Sequence, residues 1–270
     1  MLKRQILLTN DDGIQSPGIW AAAEALSEIG YVHVVAPREQ HSGAGRSLPS
    51  GNDGIIAAHQ MRVHEKEWTV YSVGGSPAQT VLHAILEIMP QRPDLVVSGI
   101  NYGENVGVGI TASGTVGAAL EAAMQGVPAL AISLETDIEH HLSYSQDVDF
   151  TAAACLTRKF AGIQLDRTLL ADVDLLKVDI PSTATCETPW RLTRLSRSSY
   201  FIPVAPDRSS WDQPGSVGYR VVGEADNELP DTDVYTLRVL RQVSVTPLSL
   251  DLTSRVDFSR LDQILRSTSH

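Results

Sequence analysis

The chain has 270 residues, of which 43% are hydrophobic and 20% are charged, so it can form a folded core and is not a disordered chain. Its formal net charge of −11 argues against a stable complex with nucleic acid and against attachment to a membrane surface. A small anionic substrate is compatible with this charge, because a bound metal ion would supply local positive charge.

The first predicted strand ends in a group of amide and acidic side chains. The apolar run at residues 6–8 is typical of a buried strand, and Asn10, Asp11 and Asp12 follow it directly. Ser16 and Pro17 then form the N-cap and first position of a helix. Two adjacent carboxylates repel each other unless they share a proton or face a cation. These residue types also suit an ordinary turn, and the four residues at 10–13 alone leave both interpretations open.

The second predicted strand, Tyr31–Pro37, leads into a long polar loop at residues 38–54. Long loops inside compact domains are usually functional or mobile. Within this loop, Ser42 offers a hydroxyl and Gly43 an unhindered backbone, and both suit a metal or a phosphate oxygen. The alternative is a flexible solvent loop.

Two short strands at 61–64 and 68–73 are predicted to form a hairpin, and Ser76 opens the next helix. The apolar run LVVSGIN at residues 95–101 is predicted to be another strand, with Asn101 at its end. A second strand therefore offers an oxygen ligand at its carboxyl end. Oxygen ligands without nearby cysteines favour Mg²⁺ or Mn²⁺ over zinc.

A glycine-rich segment at residues 102–114 leads into a helix that begins near Thr115. Ser113, Gly114 and Thr115 are thus predicted at a helix N-terminus, where free N–H groups and the helix dipole favour a phosphate. The segment matches neither the Walker loop nor the dinucleotide fingerprint. The alternative is a helix entry that only packs closely.

Strands and helices alternate up to about residue 183, which predicts an α/β fold with a mostly parallel sheet and helices on both faces. The later elements of this part are a strand at 128–135, a helix at 150–163 and a strand at Leu175–Ile180. Residues 184–270 form a predicted C-terminal extension, with strands at 217–222 and 234–245 and a terminal helix at 257–267. Such an extension is too thin for its own core and is expected to pack on another subunit.

The two cysteines, Cys155 and Cys186, are too few for a disulfide framework and are predicted to be buried thiols in a reducing compartment. The chain enters a strand at once, without a signal-peptide pattern or an apolar run that could span a bilayer. A cytoplasmic location is expected.

Four motifs occur in one order along the chain. They are TNDDG at 9–13, VVAP at 34–37 followed by HSGAGRSL, SGIN-x-G-x-N-x-G at 98–107, and SGTVGAALE at 113–121. In this order they resemble the SurE family, the survival-protein-E nucleotidases, also described as stationary-phase acid phosphatases. VSVTPL at 243–248 resembles the C-terminal signature of that family. The sequence KVDIP at 177–181 departs from the family's frequent NVNVP.

The resemblance implies a Rossmann-like α/β core with a C-terminal arm that forms homodimers or homotetramers. It also implies a divalent-metal-dependent phosphomonoesterase that acts on nucleoside 5′- and 3′-monophosphates and, in some members, on short polyphosphate. One Mg²⁺ or Mn²⁺ per subunit is the expected cofactor. Two other functions could use paired aspartates at a strand end: a nucleotide-sugar glycosyltransferase, and a nucleotide-binding regulator without catalysis.

The resemblance assigns the metal ligands to positions that the residue patterns also indicate: Asp11, Asp12, Ser42 and Asn101. The substrate-binding residues that it implies are Asn10, Gly43, Asn105, Ser113, Gly114 and Thr115. Asp11 and Asp12 are the expected catalytic residues. Asp11 is preferred as a general base that activates the attacking water, and the alternative is Asp11 as a covalent nucleophile.

Overall fold

A nine-stranded sheet forms the centre of the protein in the computed structural model, which describes residues 3–63, 66–141, 143–221 and 228–267. The strands in chain order are β1 Gln5–Thr9, β2 Tyr31–Pro37, β3 Ile56–Val63, β4 Lys66–Val73, β5 Leu95–Tyr102, β6 Ala129–Leu134, β7 Leu175–Ile180, β8 Trp190–Leu192, β9 Phe201–Val204, β10 Gly218–Val221 and β11 Val243–Leu248. Strands β9 and β10 form a separate antiparallel pair. The predicted strands at Tyr31–Pro37 and Leu175–Ile180 are confirmed.

The helices cover both faces of this sheet. They are α1 Pro17–Ser27, α2 Pro77–His83, α3 Gly114–Met124, α4 Thr151–Asp166, α5 Asp233–Arg238 and α6 Phe258–Arg266. Short π- and 3₁₀-helical turns occupy Ala84–Ile88, Gly107–Ala112 and Ile138–His140. In the described ranges no helix is long and apolar enough to cross a membrane.

The strand order β3-β4-β2-β1-β5-β6-β7-β11-β8 creates a topological switch point between β1 and β5. From β1 the chain goes first to β2 on one side and later to β5 on the other, and all three strands are parallel. In open α/β sheets the crevice at the carboxyl ends of such strands is where ligands bind. The predicted mostly parallel α/β sheet is confirmed.

The apolar side chains of β1 alternate between two cores, because successive side chains of a strand point to opposite faces. Ile6 and Leu8 join the core under α1 and α4, and Leu7 joins the core under α2 and α3. All three side chains are fully buried. A strand that is buried on both faces leaves only its end to present polar groups.

The hairpin of β3 and β4 is longer than predicted, because β3 begins at Ile56 and not at residue 61. Its turn, residues 64 and 65, lies outside the described residues. Ser76 caps α2 as predicted, since its hydroxyl accepts the N–H of Gln79. Ser16 occupies the N-cap of α1, but its side chain makes no capping hydrogen bond.

The predicted strand at 234–245 is wrong over most of its length. Residues Asp233–Arg238 form α5, and only the end of the segment belongs to β11. Thr232 caps this helix by accepting the N–H of Tyr235. Val234 and Leu237 are both buried, and their spacing of three places them on one face of a helix, whereas in a strand they would point to opposite faces.

The predicted C-terminal extension contributes strands to the core sheet. Strand β11 pairs antiparallel with β7 on one side and parallel with β8 on the other. By contrast, every described residue of α6 is exposed. The division of the chain at residue 183 stays a prediction.

The prediction of two buried thiols is wrong, because Cys155 of α4 and Cys186 form a disulfide bond with their Cα atoms 5.8 Å apart. Both residues are only half-buried. Residues 31 positions apart cannot be paired from spacing alone, and β7 lies between them in the chain. The reducing, cytoplasmic location stays a prediction. The cysteines no longer support it, because they are not free thiols.

We expect the double variant Cys155→Ala/Cys186→Ala to lose about 3–4 kcal/mol of unfolding free energy, because the bond closes a loop of this length in the unfolded chain. Urea unfolding under oxidising conditions measures the loss. Dithiothreitol should lower the wild-type value to that of the variant and leave the variant unchanged. Identical urea midpoints for oxidised wild type and variant would contradict this expectation.

Candidate active site

A tight turn after β1 holds Asp11 and Asp12 at the carboxyl edge of the sheet. The Asn10 side chain closes this turn, since the N–H of Gly13 donates to its Oδ1 (3.1 Å) and its Nδ2 donates to the carbonyl of Gly13 (3.0 Å). Gly13 has a φ of +96°, which suits glycine. The turn therefore fixes both carboxylates, which are 4% and 2% exposed.

The Asp11 carboxylate lies against the N-terminus of α3. Thr115 Oγ1 donates a hydrogen bond to Asp11 Oδ1, across 104 positions of the sequence. A Cβ atom at Gly114 would lie 2.7 Å from the Cβ of Asp11, so this helix can come so close only with glycine at its first position. The structure thus brings together Asp11, Gly114 and Thr115, which are far apart in the chain.

Asp12 faces the other side of the crevice and contacts three segments. Its carboxylate accepts the backbone N–H of Tyr102 (3.3 Å) and a hydrogen bond from Gln40 Nε2 (3.1 Å). The same Gln40 nitrogen lies 3.0 Å from Ser42 Oγ, to which it also donates. The hydroxyl of Tyr144 donates to the Asp12 carbonyl (3.0 Å). Gln40 therefore links Asp12 to Ser42.

Asn101 lies at the end of β5, next to Tyr102. Its Nδ2 donates to the carbonyls of Tyr102 (3.1 Å) and Gly103 (2.7 Å). Among the described residues none donates a hydrogen bond to its Oδ1. The amide is thus oriented so that its oxygen is available as a ligand.

The two carboxylates carry unbalanced charge. Burial raises the pKa of Asp11 to about 6, although the hydrogen bonds from Thr115 and from the backbone of α3 oppose the shift. Burial, and then the charge of Asp11, raise the pKa of Asp12 well above its usual range. In the part of the chain that the structure describes, neither carboxylate forms an ion pair with Lys, Arg or His. Two carboxylates, a hydroxyl and an amide oxygen fit a hard divalent cation.

The residues expected to bind substrate have different environments. Ser113 is the N-cap of α3 and its Oγ accepts the N–H of Val116 (3.1 Å). Gly43 has a φ of +79° and open space around its Cα. Asn105 Nδ2 donates to Ser133 Oγ (2.8 Å). The side chain of Asn10, by contrast, is occupied by the turn itself, and substrate binding by all of these residues stays a prediction.

Gln40 and Tyr144 contact the site but were not predicted from the sequence. Gln40 directly precedes the HSG motif, and a polar side chain at that place is the only signal that could have indicated it. Tyr144 lies 132 positions from Asp12, in a segment without a recognisable motif. Its contact depends on how the loop after β6 folds over the crevice.

Two further features lie outside the predicted site. Asp137, Glu139 and His140 offer ligand atoms within 4.8 Å of one another near the 3₁₀ turn after β6, and the two acidic residues are exposed. A cavity of about 700 Å³ lies beside the same turn, against Glu104 and Arg241. Its volume is within the range of small-molecule sites.

We expect Asp11→Asn to stabilise the metal-free protein at pH 7 by about 2 kcal/mol. The raised pKa means that the folded protein binds more protons than the unfolded chain between pH 3.8 and about 6. The free energy of unfolding therefore falls as pH rises through this window, and the variant lacks that loss. Urea unfolding in EDTA at pH 4 and pH 7 measures the difference.

The control for this prediction is Asp166→Asn, the same chemical change at an exposed position at the end of α4. It should change the unfolding free energy by less than about 0.5 kcal/mol at either pH. An Asp11→Asn protein no more stable than wild type at pH 7 in EDTA would show that the Asp11 carboxylate is not strained by burial.

Comparison with known proteins gives one consistent match. The family model "Survival protein SurE" matches residues 6–201. The "5′-nucleotidase SurE" of Thermococcus gammatolerans is 44% identical over 262 residues, which cover 97% of this chain and 96% of that protein. The protein of the same name from Archaeoglobus fulgidus is 41% identical over 256 residues, with 94% of each chain covered.

The fold gives the same match. The crystal structure of the SurE protein from Aquifex aeolicus aligns with a TM-score of 0.70 and 31% sequence identity, covering 97% of this chain and 100% of that one. The sequence match spans the turn after β1, the end of β5 and the start of α3, which together form the site. The chain therefore belongs to the SurE family.

Proposed function

We propose that this protein is a divalent-metal-dependent phosphomonoesterase that hydrolyses nucleoside 5′-monophosphates to nucleoside and phosphate. The observation that carries the proposal is the pair of buried carboxylates without a cationic partner among the described residues, at the switch point and against a helix N-terminus. Its relatives in Thermococcus gammatolerans and Thermococcus kodakarensis are named 5′-nucleotidases, which supports the substrate class.

Asp11, Asp12, Ser42 and Asn101 would hold one Mg²⁺ or Mn²⁺ in each subunit. Their oxygen donors suit either ion. When bound, the cation would neutralise charge on the phosphate and lower the pKa of water. The raised pKa values of the two aspartates support this assignment, because a cation would relieve the repulsion that keeps a proton on the pair.

The N-terminus of α3 would bind the phosphate, since the N–H groups of its first turn and the helix dipole favour an anion. Asp11 then acts as general base: it accepts a proton from the water that attacks phosphorus, while the bond between phosphorus and the nucleoside oxygen breaks and that oxygen takes up a proton from solvent. The Thr115 hydroxyl orients the Asp11 carboxylate.

The cavity against Glu104 would accommodate the nucleoside. Glu104 lines this cavity and directly precedes Asn105, which is expected to bind substrate. Glu104 Oε1 accepts the Tyr200 hydroxyl, whereas its Oε2 is buried without a hydrogen bond among the described residues. A buried acceptor of this kind favours a ligand that carries an N–H or O–H donor.

We expect Asp11→Asn to lower phosphate release from AMP and GMP by at least about 1,000-fold, because the variant loses both a metal ligand and the base. Wild type should be inactive in EDTA and active again with Mg²⁺ or Mn²⁺. Asp166→Asn is the matched control and should keep wild-type activity. A panel with 3′-monophosphates, p-nitrophenyl phosphate and short polyphosphate defines the substrate range.

Two results would overturn the proposal, one from this assay and one from an assay of sugar transfer. Metal-loaded wild type that binds nucleotide without releasing phosphate would indicate a regulator. Transfer of sugar from a nucleotide-sugar to an acceptor would indicate a glycosyltransferase. Trapping of a phosphoryl group on Asp11 would replace the general base by a covalent nucleophile.

We also propose that the chain forms homodimers or homotetramers through its C-terminal arm. Helix α6 carries an apolar row of Phe258, Leu261, Ile264 and Leu265, and these side chains are between 38% and 74% exposed. An exposed apolar face of this size is typical of a surface that packs on another chain. The family resemblance makes a second copy the expected partner.

Removal of residues 251–270 should therefore shift the protein toward monomer, because the deletion takes away the apolar row of α6. Light scattering of the full and the shortened chain measures this shift. Leu261→Ser/Ile264→Ser should have the same effect without shortening the chain. Monomeric full-length protein would contradict the expectation.

A further inference from the structure

A buried lysine lies between two buried aspartates at the carboxyl edge of β7. Lys177 and Asp179 are both on this strand, two residues apart and thus on the same face. Asp233 is the first residue of α5. Lys177 Nζ donates to Asp179 Oδ2 and to Asp233 Oδ2, the latter at 3.1 Å, and all three side chains are fully buried. We name these three residues the Lys177 cluster.

The carboxylates of the Lys177 cluster also hold the loop that follows β5. Asp179 Oδ1 accepts the backbone N–H of Asn105 (2.7 Å), and Asp233 Oδ2 accepts that of Gly107 (2.9 Å). The same two carboxylate groups therefore bind Lys177 and the loop. Lys177 fixes the positions of the two carboxylates, and the conformation of the loop at residues 105–107 depends on these positions.

The C-terminal extension contributes to the same arrangement. Asp233 Oδ1 accepts the N–H of Ser196 (2.9 Å), and the Ser196 carbonyl accepts the N–H of Val108 (2.9 Å). Gly107 has a φ of +63°, and a Cβ at this position would lie 3.2 Å from the Ser196 carbonyl oxygen. The loop is thus held from both β7 and the extension.

The positive charge of Lys177 offsets part of the desolvation cost of burying two carboxylates here. Desolvation of an ionised carboxylate is costly unless a positive charge or hydrogen bonds compensate it. Burial raises the pKa of Asp179 to about 6 even with Lys177 beside it, so one positive charge only partly compensates the two negative ones. Without Lys177, the two carboxylates would repel each other and move apart or take up a proton.

We propose that the Lys177 cluster is a positioning unit that holds Asn105 at the substrate site. This inference rests on the proposed function, because Asn105 is expected to bind substrate. The cluster fixes the Asn105 backbone, and Ser133 Oγ holds the Asn105 side chain at 2.8 Å. Lys177 itself is fully buried and acts through the loop, without contact to the substrate.

The decisive variants are Lys177→Met, Asp179→Asn and the double variant Lys177→Met/Asp179→Asn. Lys177→Met leaves two buried carboxylates without a positive charge beside them. Asp179→Asn replaces one carboxylate by an amide, so that a neutral group faces the Lys177 ammonium. The double variant removes one positive and one negative charge, and Asp233, its one remaining carboxylate, still accepts the N–H groups of Gly107, Ser196 and Val234. The amide oxygen introduced at position 179 can still accept the Asn105 N–H. We therefore expect Lys177→Met to be the most damaged, Asp179→Asn to be less damaged because it keeps the ion pair of Lys177 with Asp233, and the double variant to recover much of what Lys177→Met loses.

The first readout is hydrogen exchange of the amides of residues 103–108 in the metal-free protein, which requires no activity. Lys177→Met should exchange these amides at least about 10-fold faster than wild type, because the loop opens locally more often, and the double variant should recover most of the protection. The second readout is steady-state kinetics with AMP. Lys177→Met should raise KM at least about 5-fold, because Asn105 is expected to bind the substrate and is held less firmly in this variant.

Cys155→Ala/Cys186→Ala is the control for general destabilisation, because it changes no residue of the Lys177 cluster or of the loop. Loss of stability alone reduces the active fraction and leaves KM unchanged, so this control should keep the wild-type KM.

Lys177→Met that folds with wild-type exchange and KM would overturn the proposal, and so would a double variant as damaged as Lys177→Met. Failure of Lys177→Met to fold, together with a folded and protected double variant, would support it. Wild type without phosphatase activity would refute the proposed function alone, since the exchange experiment still tests whether the Lys177 cluster holds the loop.

Discussion

Two adjacent carboxylates that are buried together are the constraint on which this site depends. Like charges in a poorly solvated crevice repel, and the described residues offer Asp11 and Asp12 no cationic partner. The surrounding structure instead supplies neutral donors: the Thr115 hydroxyl, the N–H of Tyr102 and the amide of Gln40. These groups hold the carboxylates in place without cancelling their charge. The arrangement is less stable than an apolar core would be, and the same property makes it a strong site for a cation.

Much of the fold, and the position of Asp11 and Asn101 at the ends of two neighbouring strands, could be predicted because they depend on local pattern. Buried strands are apolar runs, and the residues that follow them fall at one edge of a parallel sheet, which places Asp11 and Asn101 together. Gln40 and Tyr144 could not be found in this way, since their contacts depend on how two loops fold over that edge. The alternation of residues along 234–245 predicts a strand, but the first part of this segment forms α5, which Thr232 caps.

Contacts between side chains that lie far apart in the sequence could not be predicted either. The segment at 175–180 was predicted to be a strand, and the structure confirms it, but the pattern gives no sign that Lys177 is fully buried. A charged residue in an apolar strand can be tolerated only with a partner, and here one partner, Asp233, is 56 positions further on. The disulfide is a similar case, because α4 and the segment after β7 meet only in the folded chain. Such contacts are properties of the topology.

The position of β11 has a consequence for how the chain is made. Strand β11 ends at Leu248, yet it lies between β7 and β8, and β8 reaches the sheet only through it. Until the ribosome has synthesised residues 243–248, the edge of β7 therefore has unpaired N–H and C=O groups. Open edges of this kind template pairing with other chains. The sheet can thus be completed only after β11 has been synthesised, and a nascent chain that stalls before residue 243 exposes an edge prone to aggregation.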